Sequence, residues 1–389
     1  MRESPHSLSA VAIAGCGATT AVGCGVDELR SALRANGSGL RECARFDSPR
    51  FQSCVVGAVS RIGAGSDDPA WELADSALRE AREGAREALA AIPTERVGLV
   101  LSTTKANIEA MERLAERRSC SEAARRHLRG DYLACDLAAA HGARGPVQCV
   151  SVACASGLLA IQQGTKLIQR DAVDAVLVVG VDHLSAFVVA GFSALKAIDP
   201  HGCRPFDRDR RGLSPGEAGA AIVLVSAAKM PRPGITIHGW GGSNDANHLT
   251  GPSRDGSGLA QAMRRALESA RLEPEEIDYV NAHGTGTAYN DAMESAALRA
   301  VFGECCPPVS GSKGMLGHTL GAAGVVETIL CVLAMQDCLL PGTPRLKVAA
   351  EGVPSDCLKQ PRPVARLRHV LKLNTGFGGV NGALILSHG

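Results

Sequence analysis

Four short segments of this chain carry side chains whose types and settings could do chemistry. In VSVACASGLL, Cys154 stands where the apolar, partly β-branched run VQCVSV gives way to small residues and then to a helical pattern. A strand feeding a helix N-terminus leaves backbone N–H groups unpaired and presents the positive end of the helix dipole, which favours a thiolate. NAHGTGT puts His283 at the end of an apolar strand, and SKGMLGHTLGAAG puts Lys313 and His318 on a glycine-rich turn into a helix. NTGFGGVNGAL sets Phe377 among glycines, where close backbone approach suits an oxyanion site made of main-chain N–H groups. Taken singly, each segment reads as well as a packed cysteine, a structural histidine or a tight turn. Together they describe a nucleophilic thiol served by two imidazoles. No H-x-x-x-H or C-x-x-C spacing occurs, so no metal site is expected.

The elements that must position these residues alternate short β-branched runs with longer Ala-rich helical stretches, which reads as an α/β fold. Strands are expected at 9–15, 97–102, 147–152, 175–181, 220–225, 235–239, 279–282, 309–311, 371–374 and 382–387, with 147–152 read as a buried strand. Helices are expected at 68–91, 155–169, 255–270, 291–302 and 321–336. The Pro-Gly stretch at 229–234 reads as a connector, dividing the chain into halves 1–230 and 231–389. Each half runs strand, strand, glycine-punctuated turn, apolar helix, strand, an order that suggests a pseudo-twofold bringing Cys154 and His318 towards one place.

Composition excludes several classes. A formal net charge of +1 over 389 residues gives no global field for nucleic acid. No uncharged apolar run long enough to span a bilayer occurs, and the N-terminus makes a poor signal peptide. The 14 cysteines are scattered rather than spaced as pairs, which fits free thiols in a reducing cytoplasm.

Five motifs, VACASG, RPFDRDRRGLSPGEAGAAIVL, NAHGTGT, GSKGMLGHTLGAAG and NTGFGGVNG, stand in the order and rough spacing of the elongating β-ketoacyl-acyl-carrier-protein synthases. The chain resembles these type II ketosynthases over nearly its whole length. Val152 where many members have threonine, Gly314 where serine is frequent, and the order Gly216-Glu217-Ala218-Gly219 mark it as divergent.

The resemblance implies a thiolase fold, two βαβαβαββ-type halves in a five-layered α-β-α-β-α core, in a homodimer or in a heterodimer with a ketosynthase-like partner. The implied activity is an acyltransferase reaction: decarboxylative condensation of an acyl-cysteine with malonyl-acyl-carrier protein, in fatty-acid or type II polyketide elongation, polyene-type chains included. Cys154 matches the nucleophile, and His283 and His318 the two histidines. Lys313 matches the lysine that orders the second histidine, and Glu327 its partner. Thr285 and Thr287 match hydroxyls facing the phosphopantetheine arm. Phe377 matches the gate and, with the Cys154 N–H, the oxyanion site. Arg204 matches a basic residue near the carrier-protein entrance, and the cluster Arg117, Arg118, Arg125, Arg126 and Arg129 is the densest basic surface. Ile108 is aligned with the position from which a side chain of the partner subunit closes the acyl pocket. No cofactor is implied beyond the carrier's own phosphopantetheine. Alternatives are the active half of a heterodimer with a chain-length factor, a thiolase, or a chain-initiating synthase.

Overall fold

The computed structural model describes residues 10–43, 54–60, 65–230 and 232–389. Ser9, expected to open the first strand, and Pro231, within the expected connector, lie outside them.

Ten strands carry the architecture: β1 (Val11–Thr20), β2 (Val97–Ser102), β3 (Val147–Val150), β4 (Ala175–Asp182), β5 (Ala218–Ser226), β6 (Ile235–Asn244), β7 (Tyr279–Ala282), β8 (Val309–Gly311), β9 (His369–Gly376) and β10 (Val380–His388). They lie in the order β8-β7-β9-β10-β6-β1-β5-β4-β2-β3, within a sheet of 11 strands among the described residues. From either end the sequence of strands is third, second, fourth, fifth, first, so residues 235–388 repeat the topology of residues 11–226. Within the sheet the two repeats are paired, among the described residues, at Val11–Ile237 and Ala12–Thr236.

The near-continuous apolar runs follow from cover on both faces. In β4, Val176 and Val178 point into one core while Leu177 and Val179 point into another. In β10, Leu384 and Leu386 share that first core, and Ala383 and Ile385 enter a third. The first core lies between the two sheet halves and holds the helices Ser156–Gln169 and Ala323–Asp337. The second packs Pro69–Gly84 and Gly130–Ala140 on the outside of one half, and the third packs Ser257–Ala270 and Ala288–Phe302 on the outside of the other. Helix, sheet, helix, sheet, helix is the five-layered thiolase arrangement. Residues Leu320–Asp337 are long and apolar enough to cross a membrane by composition alone, but 89% of that stretch is buried inside the protein as its central layer.

Several elements depart from the sequence reading. The strand expected at 147–152 ends at Val150 and is the exposed edge of the sheet, not a buried strand. The helix expected at 68–91 breaks at Ala85 into Pro69–Gly84 and Arg86–Leu89. Between β2 and β3 the chain forms three helices, Ile108–Ala115, Glu122–Arg126 and Gly130–Ala140, to which the sequence reading assigned no element.

The central helices meet backbone to backbone. A Cβ on Gly324 would stand 2.1 Å from the Leu158 nitrogen, and one on Gly157 would stand 2.8 Å from the Gly324 nitrogen. Gly324→Ala is therefore expected to lower stability by about 3 kcal/mol through overpacking at a contact that has no side chain to yield. Urea unfolding measures this, and an unchanged midpoint would contradict so close a crossing.

Candidate active site

Cys154 is delivered by a sharp kink between β3 and the buried helix Ser156–Gln169. Ala153 takes a left-handed φ of 51°, and the Val152 N–H donates to the Ser156 hydroxyl at 2.8 Å, closing the turn. Gly376 packs against that turn: a Cβ there would lie 3.0 Å from the Ala155 nitrogen and 3.2 Å from the Cys154 nitrogen. The Phe377 N–H, next in β9's exit, lies on the Cys154 sulfur's side of the turn and favours its ionised form. Cys154 is only 7% exposed. Burial pushes its thiol up to about 12, a rise that nearby Lys313 and the Phe377 N–H only partly oppose. The thiolate expected from the helix end is thus not the resting form. The sulfur waits as a neutral thiol because desolvation outweighs the dipole.

The two histidines meet edge to face, ring centroids 5.2 Å apart. His283 ends β7, and its Nδ1 lies 3.2 Å from Lys313 Nζ and 3.0 Å from Asn374 Nδ2. Two donors on Nδ1 leave the ring proton on Nε2. His318 accepts the Leu320 N–H on its Nδ1 at 3.2 Å, which likewise puts its proton on Nε2. Burial, then the Lys313 charge, holds His283 well below the usual imidazole range and His318 down to about 3. Both are neutral donors at physiological pH.

Lys313 orders His283, not the second histidine. Its ammonium bonds the His283 ring and the His283 carbonyl, and it pairs with Glu327 at 2.7 Å. Glu327 also receives Lys372 at 2.9 Å, Ser312 at 3.0 Å and Asn374 at 3.3 Å. Despite burial, the two ammonium groups hold its carboxyl down to about 2. Beneath, Glu294 accepts the His283 and Gly284 N–H groups at 2.6 and 2.7 Å, fixing the backbone that carries the imidazole. Lys372, Asn374 and Glu294 were not singled out from the sequence. A signal existed for the first two: in HVLKLNTG, a lysine and an asparagine two apart share one face of an otherwise apolar strand. Gly314 has a local reason, because a Cβ there would meet the Pro344 carbonyl oxygen at 2.1 Å.

Two cavities meet at the sulfur. One, of about 480 Å³, is lined by Cys154, His283, His318, Thr285, Thr287 and Phe377 among others. The two threonine hydroxyls bond each other at 2.9 Å, and Thr287 also caps the helix Ala288–Phe302. The second, of about 410 Å³, shares Cys154 and Phe377 and is otherwise mostly apolar. Phe377 is 38% exposed, and Phe192 lies between it and His318, ring centroids 6.1 and 6.5 Å away. A half-exposed ring bordering both cavities is placed to act as a gate.

The basic residues picked from the sequence are not gathered at the mouth. Arg126 pairs with Asp136 and Arg129 with Asp131, both over the Tyr132 ring, and neither they nor Arg125 line either cavity. Arg204 is drawn to Asp199 and the Asp209 carbonyl. Lys196 and Arg211 are the basic residues that line the larger cavity. Ile108 is half-buried at the start of its helix and lines neither cavity of its own chain, as a side chain reaching a partner's pocket would not. The basic cluster at 125–129 thus stands apart from the two cavities, whereas the basic side chains at the larger one come from residues 196–211.

Buried thiol, paired neutral imidazoles and a main-chain N–H at the sulfur are a site for acyl transfer and for stabilising an enolate oxygen. Comparison with known proteins points the same way. Residues 8–229 match the model of the beta-ketoacyl synthase N-terminal domain, and residues 235–347 match that of the C-terminal domain. The ketoacyl synthase alpha subunit of the tetracenomycin polyketide synthase of Streptomyces glaucescens is 32% identical over 98% of both chains. The 3-oxoacyl-[acyl-carrier-protein] synthase 2 of Vibrio cholerae is 32% identical over 96% of this chain and 98% of its own. A ketosynthase solved in complex with its chain length factor, from Xenorhabdus doucetiae, superposes with a TM-score of 0.89 at 30% identity, covering 99% of this chain and 100% of that one. With both halves matched and the Cys-His-His site assembled, the chain belongs to the β-ketoacyl synthase family.

Proposed function

We propose that this chain is an elongating ketosynthase, an acyltransferase that condenses an acyl group held on Cys154 with malonyl-acyl-carrier protein. The observation that carries this reading is the placement of the Cys154 thiol in one cavity with two imidazoles that both present Nε2–H.

In the first half-reaction the Cys154 sulfur attacks the carrier's acyl thioester. The Cys154 and Phe377 N–H groups receive the developing oxyanion, each such donor being worth about 3 kcal/mol in comparable sites. The Cys154 S–H and the acyl–carrier C–S bonds break, the acyl–Sγ bond forms, and the carrier leaves as its thiol. In the second, the malonyl C–C bond breaks, CO₂ departs and the electron pair becomes an enolate. Its oxygen takes hydrogen bonds from His283 and His318, neutral donors that need no proton transfer to act. The enolate carbon attacks the acyl-cysteine, a C–C bond forms, and Sγ leaves and takes up one proton. Loss of CO₂ drives the sequence, so the reaction as written requires no nucleotide, metal or redox cofactor. Thr285 and Thr287 would line the path of the phosphopantetheine arm, with Lys196 and Arg211 at its entrance facing an acidic carrier protein.

The reading places the protein in the cytoplasm and gives it an acyl carrier protein as partner, in a homodimer or as the active half of a heterodimer with a ketosynthase-like subunit. The exposed edge strand β3 and the exposed apolar Met111, Leu114 and Phe187 suit such a subunit contact. A thiolase would need a second cysteine where Phe377-Gly378-Gly379 stands, and a chain-initiating synthase would have asparagine in place of His318.

Intact-mass analysis after incubation with an acyl-carrier substrate tests the assignment. One acyl adduct, mapped to Cys154 and discharged by malonyl-carrier protein as a β-ketoacyl product, is expected. An adduct on any of the other cysteines, or none, would overturn it.

A further inference from the structure

Two cysteines outside both cavities are set opposite each other by strand register. The short strands Arg41–Glu42 and Val55–Val56 pair antiparallel, Arg41 with Val56 and Glu42 with Val55. Cys43 and Cys54 are the next residues in that register, so they share one face of the ladder. Opposed residues of an antiparallel pair have Cα atoms about 4.5–5.5 Å apart, inside the range of about 4.4–6.8 Å that a disulfide spans. Packing agrees with the register. Both side chains belong to one apolar cluster with Val56, Leu184, Val189 and Ile198. Burial, then the nearness of Cys43, pushes the Cys54 thiol up to about 11. Both thiols are free in this structure.

We infer that Cys43 and Cys54 form a reversible oxidation site, which a small-molecule disulfide such as oxidised glutathione converts to a Cys43–Cys54 bond. Cys43 is half-buried whereas Cys54 is 5% exposed, so the Cys43 thiol is the one that meets the oxidant. Its sulfur attacks one sulfur of the small disulfide, whose S–S bond breaks, and one glutathione leaves as a thiol with the Cys43 proton. The Cys54 sulfur then attacks Cys43, the protein S–S bond forms, and the second glutathione leaves with the Cys54 proton. Two cysteines are oxidised and one disulfide is reduced to two thiols. The bond ties together two arms that hold the catalytic turn. Next to one arm, the Ser38 hydroxyl and the Gly39 N–H donate to the Gly314 and Met315 carbonyls at 2.7 and 2.9 Å. Next to the other, a Cβ on Gly57 would stand 1.8 Å from the Leu316 carbonyl oxygen. Gly314, Met315 and Leu316 join Lys313 to the segment that carries His318.

The test incubates the folded full chain with oxidised glutathione, blocks the remaining thiols, digests with trypsin and maps the peptides by mass. Arg45 and Arg50 stand between the two cysteines in sequence, so trypsin separates them and an internal bond appears as a linked peptide pair. That pair is expected to exceed the glutathione adduct on Cys43 by about tenfold, because the opposed thiol attacks at high effective concentration. Dithiothreitol returns both thiols, and Cys43→Ser gives no linked pair. The oxidised chain should also unfold at a higher urea concentration than the reduced one, since the bond restricts the unfolded chain. Three results overturn the inference: a glutathione adduct on Cys43 without the linked pair, a bond from Cys54 to any other cysteine, or no reaction at either thiol. A linked pair that lowers the urea midpoint or leaves it unchanged does the same, because the bond would then form only by distorting the ladder. The wild-type peptide map decides the matter even if Cys43→Ser does not fold.

Discussion

Cys154→Ala leaves no measurable condensation, a loss of at least about 10³-fold, because no other group in the cavity can hold the acyl chain while CO₂ departs. His283 and His318 cannot substitute, since each already uses Nδ1 as an acceptor and presents only a proton to the cavity. Cys154→Gln separates the two half-reactions. The glutamine amide oxygen can accept the Phe377 N–H as an acyl carbonyl would, while the histidine pair, which governs enolate formation, is untouched. Malonyl decarboxylation is therefore kept or raised in that variant although elongation is lost. Product analysis for acetyl- against β-ketoacyl-carrier protein reads both outcomes. Elongation by Cys154→Ala at the wild-type rate would sink the mechanism.

The sequence disclosed the fold through period and order. β4 and β10 read as strands because burial on both faces makes the runs 175–181 and 382–386 apolar, and the strand order repeats because each half repeats its pattern. Cys154, His283, His318 and Phe377 were legible because each sits at a glycine-punctuated strand exit, where backbone must approach closely. What stayed hidden depends on tertiary pairing. That Lys313 serves His283 rather than the nearer-in-sequence His318 follows from β7 and β8 lying side by side, with Lys313 just beyond β8. The neutral state of Cys154 follows from depth, which no local motif reports. Charge density along the chain does not say what faces the arginines at 125–129: Asp131 and Asp136 arrive from the next helix and pair with two of them.

Glu327→Gln is expected to have the second-largest effect, on stability and rate together. The carboxylate is buried between Lys313 at 2.7 Å and Lys372 at 2.9 Å, so the amide would leave two buried ammonium groups with no counter-charge. Removing one partner of a buried ion network typically costs about 3–5 kcal/mol. Lys313 would also lose the contact that holds it against His283, freeing the ring to change tautomer, and condensation should fall about 100-fold. The pH dependence tells charge from packing. Glu327 is lowered from 4.5 to about 2 in the folded chain, so its stabilisation is fully present above pH 4.5 and is lost as pH falls towards 2. That drop corresponds to about 3 kcal/mol. Urea midpoints of wild type and Glu327→Gln should thus lie far apart at pH 7 and draw together between pH 4.5 and 3. A gap of constant size across that range would mean the substitution acts through shape, and the ion network would then not be what holds His283 in place.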